Sequence, residues 1–275
     1  MKTFTFSCVG IALILGVVGQ AKAAFIPVDS ETLIPFTWGI AYDGDATWSV
    51  GQFISTGWAL YDTDFILTGS GGASNTGAKR GLAYDGLTDT VFAARRDATD
   101  AIYEVSLANT VVQQFNTGTS FNLNGVATDS TDGSLWLAYF DGVIENRTST
   151  GGLISSFVGG GVGAGDWTGI VVDSFNNTLL VLGGVDELFE YDKSGSLIGQ
   201  QALSLAGNNG LGVEYIADTG KLYVTSQDGV LTILQDAGRI GAVPEPSTLT
   251  LFALGGAGLV VFVRRRQQRR DHTAT

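Results

Sequence analysis

The chain has one cysteine, one histidine and four prolines in 275 residues. Cys8 falls in an apolar N-terminal leader and His272 in a basic C-terminal tail. The body between them therefore lacks a thiol for a disulfide or a nucleophile. It also lacks an imidazole for a catalytic triad, a general base or a zinc site. Basic residues are scarce there too: Ala24 to Val243 carries 25 Asp and Glu against 8 Lys and Arg, a net of −17. Such a surface repels nucleic-acid phosphates, so no nucleic-acid partner is expected. It suits solubility, cation binding or neutral glycans. Glycine is the residue in excess, at 39, and it follows no triplet period. That excludes collagen and fits a turn-rich all-β domain of roughly 200 residues.

Both ends read as addresses. Lys2 precedes an apolar stretch from Val9 to Val18, followed by Ala21, Lys22 and Ala23. A positive start, a short greasy core and small residues at −3 and −1 make a secretory signal, a helix over 1–23 cut after Ala23. Cys8 lies before the greasy core, which argues against lipid attachment there. At the other end, Val243, Pro244, Glu245 and Pro246 precede an apolar run from Leu249 to Val263 and then Arg264, Arg265 and Arg266. As a helix this run spans roughly 23 Å, short of a ~30 Å hydrocarbon core. Flanking arginines can snorkel, so it is expected to cross a membrane as a transmembrane helix. The arginines favour a cytoplasmic C-terminus and place the body outside.

This tail resembles the PEP-CTERM sorting signal in its Val243–Pro246 motif, short span and basic stop. The resemblance covers about the last 35 residues. It implies recognition by an exosortase, a membrane transpeptidase that cuts near the motif, in a Gram-negative-type envelope. Release to the cell surface or an exopolysaccharide matrix would follow. The expected organisation is a signal peptide (1–23), a propeller body (24–236), a linker with the motif (237–248), a transmembrane segment (249–263) and a basic cytoplasmic tail (264–275).

The body repeats. Gly39–Asp43 (GIAYD), Gly81–Asp85 (GLAYD), Gly125–Asp129 (GVATD), Gly169–Asp173 (GIVVD) and Gly212–Ile216 (GVEYI) are spaced by 42, 44, 44 and 43 residues. A polar turn and a second apolar run follow each anchor: Thr47–Val50, Thr90–Ala93, Leu135–Ala138, Leu179–Leu182 and Leu222–Thr225. Third and fourth runs follow, the fourth at Phe65–Leu67, Val111–Phe115, Leu153–Phe157 and Leu197–Gln200. Short β-branched and aromatic runs between turns are strands, and four per ~43 residues make a propeller blade. The fifth unit ends at Asp236 without a fourth strand. Thr32–Phe36 is expected to supply it and close a five-bladed β-propeller. The anchor resembles the repeat of NHL-type and TolB-like propellers in its Gly, aliphatic, small, x, Asp order, which speaks to fold and not to function.

The Asp residues ending the anchors read as turn formers that bond their own backbone. Calcium needs six to eight oxygens in one place, and no segment carries the full EF-hand spacing, so no cofactor is expected. Candidate ligand contacts are the residues leading into the innermost strands, at the mouth of the axial channel: Trp38, Arg80, Asn124, Trp167 and Thr168. Glu214 joins them, as it replaces the Ala41, Ala83, Ala127 and Val171 of the other repeats, with Arg80 as a possible partner across the channel. Trp58 and Trp167 lie nearer loops; core packing is the first reading for both, and platforming a sugar ring is the alternative. No catalytic residue is assigned. The first reading is a surface-displayed, non-catalytic propeller binding a glycan, matrix polymer or protein. The alternatives are a metal-assisted lactonase- or glycosidase-like enzyme, which needs converging carboxylates, and a purely structural matrix protein.

Overall fold

The computed structural model describes residues 24–237 apart from 53–56, 73–78, 96–99, 119–122, 161–165 and 185. Ala21 and Ala23, the motif Val243–Pro246, residues Arg264, Arg265 and Arg266, and the two helices expected at the ends all lie outside the described residues. Every described element is β, in twenty strands grouped as five four-stranded antiparallel sheets.

Strand β1 (Phe25–Thr32) precedes blade 1, which is β2 (Thr37–Tyr42), β3 (Trp48–Gln52), β4 (Trp58–Tyr61) and β5 (Leu67–Gly71). Blade 2 is β6 (Lys79–Asp85), β7 (Thr90–Arg95), β8 (Ala101–Ser106) and β9 (Val111–Asn116). Blade 3 is β10 (Leu123–Asp129), β11 (Ser134–Tyr139), β12 (Val143–Arg147) and β13 (Leu153–Val158). Blade 4 is β14 (Trp167–Asp173), β15 (Thr178–Gly183), β16 (Glu187–Asp192) and β17 (Leu197–Ala202). Blade 5 is β18 (Gly210–Ile216), β19 (Lys221–Ser226) and β20 (Val230–Asp236), with β1 as its outer strand. The ring is the expected five-bladed propeller.

Burial follows position in the blade. The inner strand β14 and the second strands β11 and β15 are buried along their whole length. They lie between two neighbouring blades, which is why they read as continuous apolar runs. Outer strands face solvent, as β13 and β1 do almost throughout. Five buried clusters make up the core, and each joins the facing sides of two adjacent blades. Large rings are fully buried in them, among them Trp136 in the cluster of blades 3 and 4 and Phe92 in that of blades 2 and 3. Each such burial is worth ~1.5–3 kcal/mol.

The turns ending the inner strands work as expected. Asp43 Oδ1 accepts the N–H groups of Asp45, Ala46 and Thr47 at 2.9–3.0 Å. Asp85, Asp129 and Asp173 likewise accept N–H groups from the turns that follow them.

Closure differs from expectation in its segment. β1 pairs with β20 from Phe25↔Asp236 to Thr32↔Val230, so the closing strand lies earlier than Thr32–Phe36. Leu33 and Phe36 instead donate to the carbonyls of Gly229 and Gln227, and Phe36 adopts φ 62°. Pro35 thus falls in the connection, where its missing N–H costs no ladder bond. Blade 1 shows a similar shift: Phe65 sits in a turn at φ 57°, and β5 begins at Leu67. Closure leaves the outer strand of every blade as a sheet edge.

The anchor glycines set the spacing of the ring. A Cβ added at Gly39, Gly81, Gly125, Gly169 or Gly212 would come within 3.0 Å of the next blade around the ring. At Gly81 it would lie 2.7 Å from the backbone nitrogen of Val126. Backbone cannot yield as a side-chain tip can, so at Gly39, Gly81 and Gly212 only glycine fits. Gly81→Ala should therefore cost about 1–3 kcal/mol in chemical denaturation, the range for overpacking a tight contact. Gly160→Ala, with nothing within 4 Å of the added atom, is the control and should leave stability unchanged. Equal midpoints for the two variants would remove the steric account.

Candidate functional site

All five inner strands run the same way through the ring, so their N-terminal ends gather at one mouth of the axis. Each carries a bulge at that end: between Thr37 and Ile40, Lys79 and Gly81, Leu123 and Gly125, Trp167 and Gly169, and Gly210 and Gly212. The residues taken out of register are Trp38 with Gly39, then Arg80, Asn124, Thr168 and Leu211. A bulge re-aims a side chain out of the normal alternation. Here it directs polar groups sideways, toward the neighbouring blade.

The result is a belt around the mouth. The Arg80 guanidinium lies 3.6 Å from the centre of the Trp38 ring, a cation–π contact between blades 2 and 1. Arg80 Nη1 donates to Asn124 Oδ1 at 3.0 Å, and Asn124 Nδ2 donates to the Trp167 carbonyl at 2.7 Å. Thr168 Oγ1 donates to the Gly210 carbonyl at 2.9 Å. Thr225 Oγ1 accepts the Gly212 N–H at 3.1 Å and donates to the Trp38 carbonyl at 3.3 Å. The belt thus passes through all five blades and returns to its start. Arg80 is 4% exposed and Asn124 1%. The axial cavity between the anchor glycines measures about 10 Å³, room for roughly one water molecule. The mouth candidates are thus brought together, and their polar groups hold blade to blade.

Glu214 lies elsewhere. It pairs with Tyr223 across the sheet, and Tyr223 belongs to the core between blades 5 and 1. Its Oε1 accepts the Tyr215 N–H at 3.2 Å, and the backbone N–H of Tyr42 in blade 1 is a second donor. The residue keeps some accessible surface, yet its carboxyl is enclosed by protein, and burial pushes it up to about 8 against the pull of those two amides. Glu214 is therefore a seam residue rather than a partner for Arg80 across the channel.

The turn carboxylates at the opposite mouth behave differently. Burial pushes Asp43 up, but the N–H groups of Thr47, Asp45 and Ala46 outweigh it and hold it low. Burial of Asp129 is likewise outweighed, first by Lys193, which reaches it from blade 4 as an ion pair. Among the described residues, no group of three or more His, Cys, Asp or Glu side chains is placed to hold a metal ion. Trp167 opens β14, 3% exposed, with its ring 4.9 Å from that of Phe189 at 74°. Trp58 is an internal residue of the core between blades 1 and 2. Both tryptophans thus pack in the core, the first of the two roles expected for them.

The PEP-CTERM protein-sorting motif matches residues 242–266. No curated protein matches the chain. The chain thus carries an exosortase sorting motif behind a five-bladed propeller, which implies an exported protein of the cell envelope or surface.

Because Glu214 binds its proton more tightly in the folded ring, the folded state holds the extra proton between pH 4.5 and about 8. Stability should therefore fall as pH rises through that window, by at most about 1.4 kcal/mol per pH unit. Asp43, Asp129, Asp192 and Asp228 are lowered, so their contribution is lost only at more acid pH. Glu214→Gln should flatten the decline between pH 5 and 8 in equilibrium unfolding. A variant as pH-sensitive as the parent would show that this carboxyl is not its source.

Proposed function

We propose that this chain is cut at both ends during export and displayed at the cell surface or in the extracellular matrix. There its propeller serves as a non-catalytic binding module for a glycan, matrix polymer or protein. The observation that carries the reading is the sorting motif at 242–266 following a closed, rigid ring. The apolar run 249–263 would hold the chain in the inner membrane until an exosortase acts, with Arg264, Arg265 and Arg266 on the cytoplasmic side. The acidic body supports a neutral or basic partner over an anionic one, since like charge repels. The belt supports placing the ligand away from the axis: Trp38, Arg80 and Asn124 are engaged with one another, and the cavity behind them is water-sized. The non-catalytic reading draws on the one carboxylate that departs from the repeat: Glu214 is met by backbone amides in a blade seam.

Mass spectrometry of the protein released from producing cells tests the processing. The mature N-terminus should be Ala24 and the C-terminus should lie near Pro244–Pro246. Recovery of peptides containing Arg264–Arg266 from the released protein would reject sorting with cleavage.

A further inference from the structure

Between blades 1 and 2 lies a cleft of about 220 Å³, far larger than the axial cavity. Its origin is a single position of the repeat. The second-strand residue paired with the variable anchor position is Phe92 opposite Ala83, Trp136 opposite Ala127, Leu180 opposite Val171 and Tyr223 opposite Glu214. Each of these four fills the core between its blade and the next. In blade 1 the residue opposite Ala41 is Ser49. The gap that a ring or a leucine closes elsewhere stays open here.

The polar groups lining the cleft divide into spent and unspent. Asp43 Oδ1 accepts three N–H groups of its own turn, and the Tyr84 hydroxyl donates to Asp89 at 2.7 Å. Ser49 is 7% exposed, and among the described residues its hydroxyl meets no hydrogen-bonding partner. Trp58 is 4% exposed as a residue, and its indole N–H, which lies beside Gly71 in the lining, likewise meets no acceptor among the described residues. At the rim, Asn109 uses its Oδ1 to accept the Gly72 N–H, and among the described residues its amide N–H groups meet no acceptor. Apolar side chains of Ala41, Leu60, Val91 and Leu107 complete the walls.

Two donors that open onto one cleft without a protein partner are left to water or to a ligand that replaces it. The unspent groups are a hydroxyl and two kinds of N–H, which call for a ligand rich in neutral acceptors. The apolar walls call for C–H surface. Asp43 in the lining, with Asp85 and Asp89 close to Tyr84, disfavours an anion. A cation would find those carboxylates already bonded. Drug-sized ligands occupy roughly 300–1,000 Å³, so this cleft suits something smaller, a single ring.

We propose that the cleft between blades 1 and 2 binds one neutral pyranose ring, with Ser49, Trp58 and Asn109 bonding its oxygens. The proposal rests on the binding-module reading above and gives it a site and a ligand class.

The test is saturation-transfer NMR with calorimetry on the purified full chain. The probes are methyl glycosides of glucose, galactose and mannose, with glucuronate and ethanolamine as charged controls. At least one neutral glycoside should bind saturably and both controls should not. Ser49→Phe supplies the ring that Phe92 supplies one blade on. It should abolish binding while keeping or raising the unfolding midpoint. Should that variant fail to fold, Ser49→Ala gives a second reading and should weaken binding about tenfold at most. Binding of none of the neutral glycosides, binding confined to a charged control, or undiminished binding by folded Ser49→Phe would each overturn the proposal. Capture of a matrix polysaccharide equally by the parent and Ser49→Phe would overturn the cleft but leave the binding-module reading standing. No binding of any glycoside or polysaccharide by the parent would count against both.

Discussion

The contact on which the molecule depends is the approach of one inner strand's backbone to the next, made at five glycines. At Gly39, Gly81 and Gly212 a Cβ would collide with the neighbouring strand's backbone, and at Gly125 and Gly169 it would press on that strand at 3.0 Å. That separation, repeated five times, fixes the pitch of the ring and shrinks the axis to the size of one water. Blades diverge outward from it, so the space between them widens. Small residues stand next to the axis at Ala41, Ala83 and Ala127, and large ones one strand further out at Phe92, Trp136 and Tyr223. Side-chain size therefore tracks the wedge between blades, as close packing requires.

A tight axis has a second consequence. The bulges that bring the glycines together also turn Trp38, Arg80, Asn124 and Thr168 toward neighbouring blades, where they bond one another and backbone carbonyls. Polar groups that might have met a ligand at a wider mouth are consumed in holding the ring shut. Departures from the repeat then matter most where the wedge is wide. There are two in these columns, and they flank the same blade. Glu214 puts a carboxyl into the interface of blades 5 and 1, and Ser49 leaves the interface of blades 1 and 2 unfilled. Blade 1 is thus the least regularly packed member of the ring, with one interface sensitive to protons and the other open to a small guest.

Much of the architecture was legible because glycine spacing and strand patterning are local signals that a ring repeats five times. The missing fourth strand after Asp236 announced closure, since an incomplete blade must borrow a partner. The closing segment was misplaced because Thr32–Phe36 and Phe25–Thr32 are both plausible strands, and only pairing with β20 chooses between them. The mouth residues were visible as a column before each anchor glycine. Their mutual bonding was not, since a bulge leaves no mark in composition. Ser49 could have been found by the alignment that singled out Glu214. It was passed over because a serine in a strand carries no alarm unless the large residues in its column are compared. Core packing of Trp58 was legible from its size, but its strand was not, because β4 is only four residues long.

By itself, then, the sequence determined the repeat, the blade count, the acidic body without thiol or imidazole, and the sorting motif at 242–266. These are properties of residue type and spacing along the chain, and they survive without coordinates. Only the tertiary structure decided which polar groups are already bonded, which carboxyl is buried in a seam, and which interface is left open. Those depend on distances between residues about 40 or more apart in sequence, such as Arg80 to Asn124 or Thr225 to Trp38. Hydrogen bonding and packing act over a few ångströms of space, and the ring alone brings such residues within that range.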